Sequence, residues 1–286
     1  MTQQDTRVAL ITGASSGIGK QAALVLAAQG FRIIGTGRDA GSMAAAEAEI
    51  RAAGNGDVTM LQADLSLLAD ARRLADEVKR LTPRLDLLLN NAGGMASDLV
   101  MTSEGLEANF AGNHLGPFLL TNLLLPLLRA TAAKAAPGSV RILNTSSDAS
   151  EMIPGVNLDD IQGLANFNVG AAYCRGKLAN VLHARALAGR LAADGIVAHS
   201  YHPGAVDSNF FTYAPADTRE RVKDLPKATE AEGADTLVWL ATAEEPGQSS
   251  GLYWHKRALR TPNKLVEDAD FVERFWQKSA ELTGQA

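Results

Sequence analysis

The chain has 286 residues, 46% of them hydrophobic and 21% charged, with only 10 prolines. That balance excludes a disordered polymer and is enough to bury a sizeable core. A net charge of -5 removes any general attraction to nucleic acid or anionic lipid, and the single cysteine, Cys174, excludes an intramolecular disulfide or a cysteine-based metal cluster. A reducing compartment, the cytoplasm, is the expected home.

Residues 1–7 are polar and do not read as a secretion signal. The predicted elements then alternate. A strand over 7–11 leads into a helix over 17–29, a strand over 31–36 into a helix over 42–53, and a strand over 58–62 into a helix over 66–81. A strand over 85–90 precedes a long helix over 102–130, and a strand over 139–145 precedes a helix over 172–193. The last two pairs are 196–201 with 229–243 and 251–255 with 268–282. Short aliphatic runs alternating with alanine- and leucine-rich stretches call for βαβ units. The expected fold is α/β: a Rossmann-type doubly wound parallel sheet of about seven strands with helices on both faces, forming one domain over 1–286. The longest apolar tract, 118–128, is too short for a bilayer and is broken by Asn122 and Pro126, so it predicts a buried helix and no membrane partner.

Directly after the first strand stands Thr12-Gly13-Ala14-Ser15-Ser16-Gly17-Ile18-Gly19. A glycine turn between strand and helix brings backbone N–H groups and the positive end of the helix dipole against a pyrophosphate. A glycine-rich turn alone also marks any tight βα connection. This spacing, Gly-x-x-x-Gly-x-Gly, resembles the signature of the short-chain dehydrogenase/reductase family. Asn90-Asn91-Ala92-Gly93, at the end of the fourth strand, matches a second motif of that family, as does Asp64-Leu65 after the third. The resemblance implies that Gly13, Ser15, Ser16, Gly17, Ile18, Gly19, Asp64, Leu65, Asn91, Ala92 and Gly93 bind a nicotinamide dinucleotide.

Which dinucleotide depends on the end of the second strand, Gly35-Thr36-Gly37-Arg38-Asp39. An acid there would bond the ribose hydroxyls of NAD, whereas an arginine offers its fork to the 2′-phosphate of NADP. The place of the acid in the family's NAD users is taken by Gly37, and Arg38 follows. Asp39 is expected to point elsewhere or to cap the next turn. NADP is the expected cofactor, with the reading of Arg38 as a plain solvated charge still open.

Tyr173 and Lys177 stand four apart on a strongly helical stretch and therefore share a face. An isolated Tyr-x-x-x-Lys is an ordinary amphipathic pair, and context decides here. A tyrosine of pKa about 10 becomes a usable base near neutrality only with roughly 4 kcal/mol of phenolate stabilisation, which an ammonium and an oxidised nicotinamide can supply. Asn144-Thr145-Ser146-Ser147 ends the fifth strand, and Ser147 lies 26 residues before Tyr173. By the family's alignment Ser147 orients the substrate oxygen and Ser146 packs locally, while Asn113 holds a water that links the lysine to solvent. Pro203-Gly204-Ala205-Val206-Asp207-Ser208 resembles the family's turn beside the nicotinamide, with Val206 pairing to the carboxamide and Ser208 in place of the usual threonine; Pro203, Gly204, Val206 and Ser208 are expected there. His202 is expected to support that turn, and the five histidines have no metal-ligand spacing.

Ala172-Tyr173-Cys174-x-x-Lys177-Leu178-Ala179-Asn180 and Trp276-x-x-Ser279-x-x-Leu282 are similar to the retinol dehydrogenase-like branch, although Gly176 stands where a serine is usual. The long stretch between Ser147 and Tyr173, with Met152, Ile153, Pro154 and Phe167, shapes the substrate mouth or covers the helix face used for tetramers, so a monomer or homodimer is expected. Residues 205–228, with Phe210, Phe211 and Tyr213, read as a lid or as a packed surface loop. The chemistry implied is interconversion of a carbonyl and an alcohol on a hydrophobic small molecule. Two rivals are a dinucleotide sensor without chemistry, which the presence of Ser147, Tyr173 and Lys177 disfavours, and a sugar-nucleotide epimerase, which would carry a larger C-terminal part.

Overall fold

The computed structural model describes residues 6–54, 56–208, 214, 216–224 and 226–285. Strands β1 (Val8–Ile11), β2 (Arg32–Gly37), β3 (Val58–Gln62), β4 (Leu87–Asn90), β5 (Arg141–Thr145), β6 (Val197–His202), β7 (Tyr253–His255) and β8 (Ala258–Leu259) form one sheet in the order β3-β2-β1-β4-β5-β6-β7-β8. The first seven run parallel and β8 returns antiparallel to β7. The order reverses between β1 and β4, which opens a crevice at the carboxyl ends of those strands.

Both faces of the sheet are covered, which is why its strands are apolar without interruption. Val8 and Leu10 enter one core cluster, with Leu74, Leu119 and Leu187; Ala9 and Ile11 enter the other, with Ala23, Leu26, Ile50 and Leu237. The first layer is built by α3 (Leu68–Leu81), α5 (Gly116–Ala132) and α7 (Val169–Leu191), the second by α1 (Gly17–Ala28), α2 (Ala40–Ala53) and α9 (Glu230–Thr242). A third cluster joins the short α4 (Ala108–Phe110) and α7 to α10 (Ala269–Thr283), through Phe110, Leu178, Val272 and Phe275.

Several elements depart from the predicted boundaries for local reasons. The helix expected from 102 begins at Ala108. Thr102 Oγ1 accepts from the N–H groups of Glu104 and Leu106, Gly105 turns at φ +76°, and the Glu107 carboxylate caps Asn109 N and Phe110 N. A widened π-helical turn, Ala111–Leu115, then leads into α5. Ala108–Ala132 is thus longer than the 118–128 tract, and by length and composition it could cross a membrane; here Phe118, Leu119, Leu120, Leu124 and Leu128 are buried in the protein. The helix expected from 66 starts at Leu68, because Asp64 Oδ1 holds Ser66 while the Glu104 carboxylate caps Leu68 N and Ala69 N. An eighth strand follows a tight turn at Lys256 and Arg257, both with positive φ, 49° and 59°. Between Ser147 and Tyr173 lie α6 (Ala149–Met152) and a 3-10 turn, Leu158–Asp160, which bury Ile153 and Leu158 and leave Met152 74% exposed. Within 205–228 the structure has α8 (Ala216–Lys223), while Phe210, Phe211 and Tyr213 lie outside the described residues.

Candidate active site

The loops after β1, β2 and β4 are bound into one unit. Thr12 Oγ1 accepts from Asn91 N at 3.0 Å and Ala92 N at 2.9 Å, and Asn91 Nδ2 donates back to the Thr12 carbonyl at 3.1 Å. Gly13 N donates to Thr36 Oγ1 at 3.2 Å and Ala14 N to the Thr36 carbonyl at 2.8 Å. Helix α1 seats on this turn through Gly19, where an added Cβ would stand 2.3 Å from the Gly13 carbonyl oxygen. Ser16, the N-cap residue of α1, makes no side-chain cap bond, and no acid stands in the first turn. The first-turn N–H groups therefore face the crevice without a side-chain cap, an arrangement suited to a pyrophosphate.

Across from Gly17, Ser208 and Glu230 form the opposite wall. Gly204 turns at φ +92°, Val206 bridges to Ala228 and is buried against Ile18 and Gly233, and Gly204 N donates to His202 Nδ1 at 3.3 Å. Val206 and Ser208 thus stand beside the glycine turn, Pro203 and Gly204 lead into them from β6, and His202 supports the turn.

At the ends of β2 and β3, Arg38 and Asp64 share a cleft of about 350 Å³ with Gln62, Ala63, Asp70 and Arg73. Asp39 caps α2 by accepting from Ser42 N at 2.7 Å, as expected. A side chain at Gly37 would meet Met43 Cγ at 2.7 Å and Ser15 Oγ at 2.8 Å, so packing closes the position where an NAD-type acid would stand. Leu65 turns its side chain into the core. Asp64 spends one carboxylate oxygen on Ser66.

Tyr173, Lys177 and Ser147 converge where α7 passes the end of β5. The Tyr173 hydroxyl hydrogen-bonds Ser147, and Lys177 Nζ lies 5.7 Å from the tyrosine ring centroid. Ser146 is buried and donates to the Lys177 carbonyl at 2.7 Å, a structural role, whereas Ser147 is the serine that meets Tyr173. Lys177 donates to the Thr145 carbonyl at 3.3 Å, so its ammonium keeps donor capacity for ribose hydroxyls. Burial holds Lys177 at about 8, below its ordinary value, and pushes the Tyr173 phenol up. In the protein by itself desolvation therefore outweighs the Ser147 hydrogen bond, and the phenol is held protonated rather than primed as a base.

Asn113 sits inside the π-helical turn. Its Nδ2 donates to Gly94 O at 2.9 Å and to Asn109 O at 2.8 Å, while its Oδ1 accepts from Gly94 N at 3.3 Å. An added Cβ at Gly93 would lie 2.6 Å from Asn113 Oδ1 and 3.1 Å from Lys177 Nζ, so both groups close on that backbone. Gly176 is explained by the same neighbour: a Cβ there would stand 3.1 Å from Asn113 Cβ. The sequence did not reveal Tyr253, whose hydroxyl donates to the Ser147 carbonyl at 3.0 Å, or Asn180, which shares the Thr145 carbonyl with Lys177. Asn180 closes the stretch that begins at Ala172 without a signal of this bond, and Tyr253 carries no local motif and lies 106 residues from Ser147.

A glycine turn on a helix N-terminus, facing a partly exposed tyrosine and a buried lysine across the crevice of a doubly wound sheet, defines a nicotinamide-dependent oxidoreductase site. A model of the short chain dehydrogenase family matches residues 7–219, and the chain belongs to that family. It is 35% identical to human retinol dehydrogenase 13, with 97% of this chain and 85% of the relative covered. It is equally 35% identical, over 97% and 93%, to a Streptomyces sp. (strain C5) protein whose name proposes a daunorubicin C-13 ketoreductase. Among solved structures, a Pseudomonas aeruginosa RhlG/NADP active-site complex superposes with a TM-score of 0.69 at 29% identity, covering 88% of this chain and 96% of that one. The protein is a short-chain dehydrogenase/reductase of the retinol dehydrogenase-like branch, an NAD(P)-dependent enzyme that interconverts carbonyls and alcohols.

Proposed function

We propose that the enzyme is an NADP(H)-dependent carbonyl reductase for a hydrophobic small molecule, with Tyr173 as proton donor. The carrying observation is the Tyr173–Ser147 hydrogen bond beside a buried Lys177, with burial keeping the phenol protonated. The bound dinucleotide supplies the hydride. The substrate oxygen sits between Ser147 and Tyr173; Tyr173 gives it the phenolic proton as the carbon receives the hydride, so the alcohol forms and a phenolate remains. Lys177 stabilises that phenolate and holds the ribose, and Asn113 Oδ1, with a lone pair to spare, orders the water that returns the proton. The reading agrees with the name of the Streptomyces relative, and exposed Met152 with the named retinol relatives favours an apolar substrate.

The choice of NADP rests on Arg38 at the cleft, on Gly37 being closed to an acid, and on Asp39 being committed to its helix. Arg38→Ala should weaken NADPH binding about tenfold or more while leaving NADH nearly unchanged, since a bidentate guanidinium–phosphate pair is lost. Tyr173→Phe should abolish turnover with NADPH binding retained. Equal losses for both cofactors would overturn the NADP reading, and substantial turnover in Tyr173→Phe would overturn the mechanism. A cytoplasmic monomer or homodimer completes the proposal.

A further inference from the structure

Next to Ser147 stands a carboxylate that the reaction as described does not use. Asp148 Oδ1 accepts the Ser147 hydroxyl at 2.9 Å, and its Oδ2 lies 3.9 Å from His202 Nε2. His202 Nδ1 accepts from Gly204 N, so the ring's proton is on Nε2, the nitrogen that faces Asp148. His255 stacks on that ring, centroids 4.6 Å apart, and donates from Nδ1 to the His202 carbonyl at 2.9 Å. Ser147 Oγ also accepts from Ala149 N at 3.2 Å. A hydroxyl has one proton and two lone pairs, and a carboxylate outcompetes a neutral phenol for the proton. With that proton on Asp148 and one lone pair on Ala149, Oγ meets Tyr173 as an acceptor. Tyr173 is the donor of that pair.

We propose that Asp148 is a positioning residue: in the resting site it turns the Ser147 hydroxyl away from the substrate and keeps the Tyr173 hydroxyl pointing at Ser147 as a donor. It rests on the roles given above to Ser147 and Tyr173. A carbonyl oxygen needs both hydroxyls as donors, so substrate entry must draw the Ser147 proton off Asp148, and Asp148 is a competitor that carbonyl binding displaces. Its carboxylate also faces Tyr173, Cys174, His202 and Arg260; Glu151 pairs with Arg260, and both Glu151 and His255 bear on His202. The negative charge disfavours phenolate at Tyr173, which slows alcohol oxidation near neutrality.

Asp148 is exposed and makes no side-chain cap at α6, so replacing it leaves the fold supported. Asp148→Ala should lower KM for the carbonyl about threefold to tenfold, the order expected when a charged competitor for one hydrogen bond is removed. It should also move the tyrosine limb of the kcat/KM profile for alcohol oxidation down by about half a unit to one unit. Asp148→Asn keeps an acceptor oxygen without the charge, and should move the pH limb while restoring most of the KM. Unchanged KM and an unmoved limb in Asp148→Ala would overturn the proposal, as would a fall in kcat alone with the same melting temperature. Should Tyr173→Phe keep its turnover, the underlying reading fails separately, whatever Asp148 does.

Discussion

Lys177 carries the most informative electrostatics of the site. It is 3% exposed, and burial brings its ammonium from 10.5 down to about 8. Below pH 8 the side chain is charged in both the folded and unfolded chain, and burying that charge costs about 3 kcal/mol. Between pH 8 and 10.5 the folded form loses its proton while the unfolded form keeps it, so unfolding free energy rises with pH; above 10.5 the penalty is gone. Lys177→Met in the absence of dinucleotide should thus be the more stable protein at pH 7 by about that amount, with the gap vanishing by pH 10.5. Denaturant titrations at both pH values measure this, and a gap independent of pH would show that the ammonium is not desolvated. The same burial makes a bound dinucleotide, whose ribose can accept from Nζ, the natural partner of this lysine.

At the scale of elements, the site depends on glycines that let backbones meet. Gly93→Ala would push a methyl between Asn113 Oδ1 and Lys177 Nζ, whereas at Gly94 nothing lies within 4 Å of the same methyl. Turnover in Gly93→Ala should fall about tenfold or more from the displacement of two working groups, with stability reduced by about 1–3 kcal/mol. Gly94→Ala should be close to wild type, and matched kinetics in the two variants would contradict the crowding. Much of this was legible in the sequence: the glycine turn, the Asn-Asn-Ala-Gly motif, the Tyr-Lys pair and Asp39 as a cap all lie in single local stretches whose chemistry is fixed by neighbours. What escaped was set by distant partners. Nothing near residue 112 announces a π-helical turn, because Glu107 and the packing of α7 impose it. Tyr253 reads as a strand residue until the sheet brings its hydroxyl to Ser147. Lys256 and Arg257 lack the glycine that marks tight hairpins, so β8 left no turn signal either.

For the whole molecule, four of the five histidines are held below their ordinary value by burial, His183 to about 3 and His202 to about 4, with His114 and His199 also lowered. The unfolded chain takes up these protons near pH 6.5 and the folded one does not, so their contribution is intact above 6.5 and falls away as pH drops toward the folded values. The histidine contribution to unfolding free energy should be flat above neutrality, where only the Lys177 rise from pH 8 to 10.5 adds to it, and should decline steeply from pH 6.5 to 5. His183→Gln should soften that slope by about one proton, roughly 1.4 kcal/mol per pH unit; an unaltered slope would place the acid sensitivity elsewhere. Two of these rings meet edge to face, His114 and His183 with centroids 6.0 Å apart, and His114 Nε2 bonds Ser279 Oγ of α10 at 2.8 Å. The widened turn at Ala111–Leu115 therefore serves two sides at once, sending Asn113 to the Gly93–Gly94 backbone beside Lys177 and its successor to α10. Helical phase makes that sharing unforgiving. Each residue of an α-helix advances the screw by roughly 100°, so excising one residue from the bulge would bring the asparagine's direction round onto its neighbour's, and the chain would have to surrender either the Asn113–Gly94 bonds or the seat of α10.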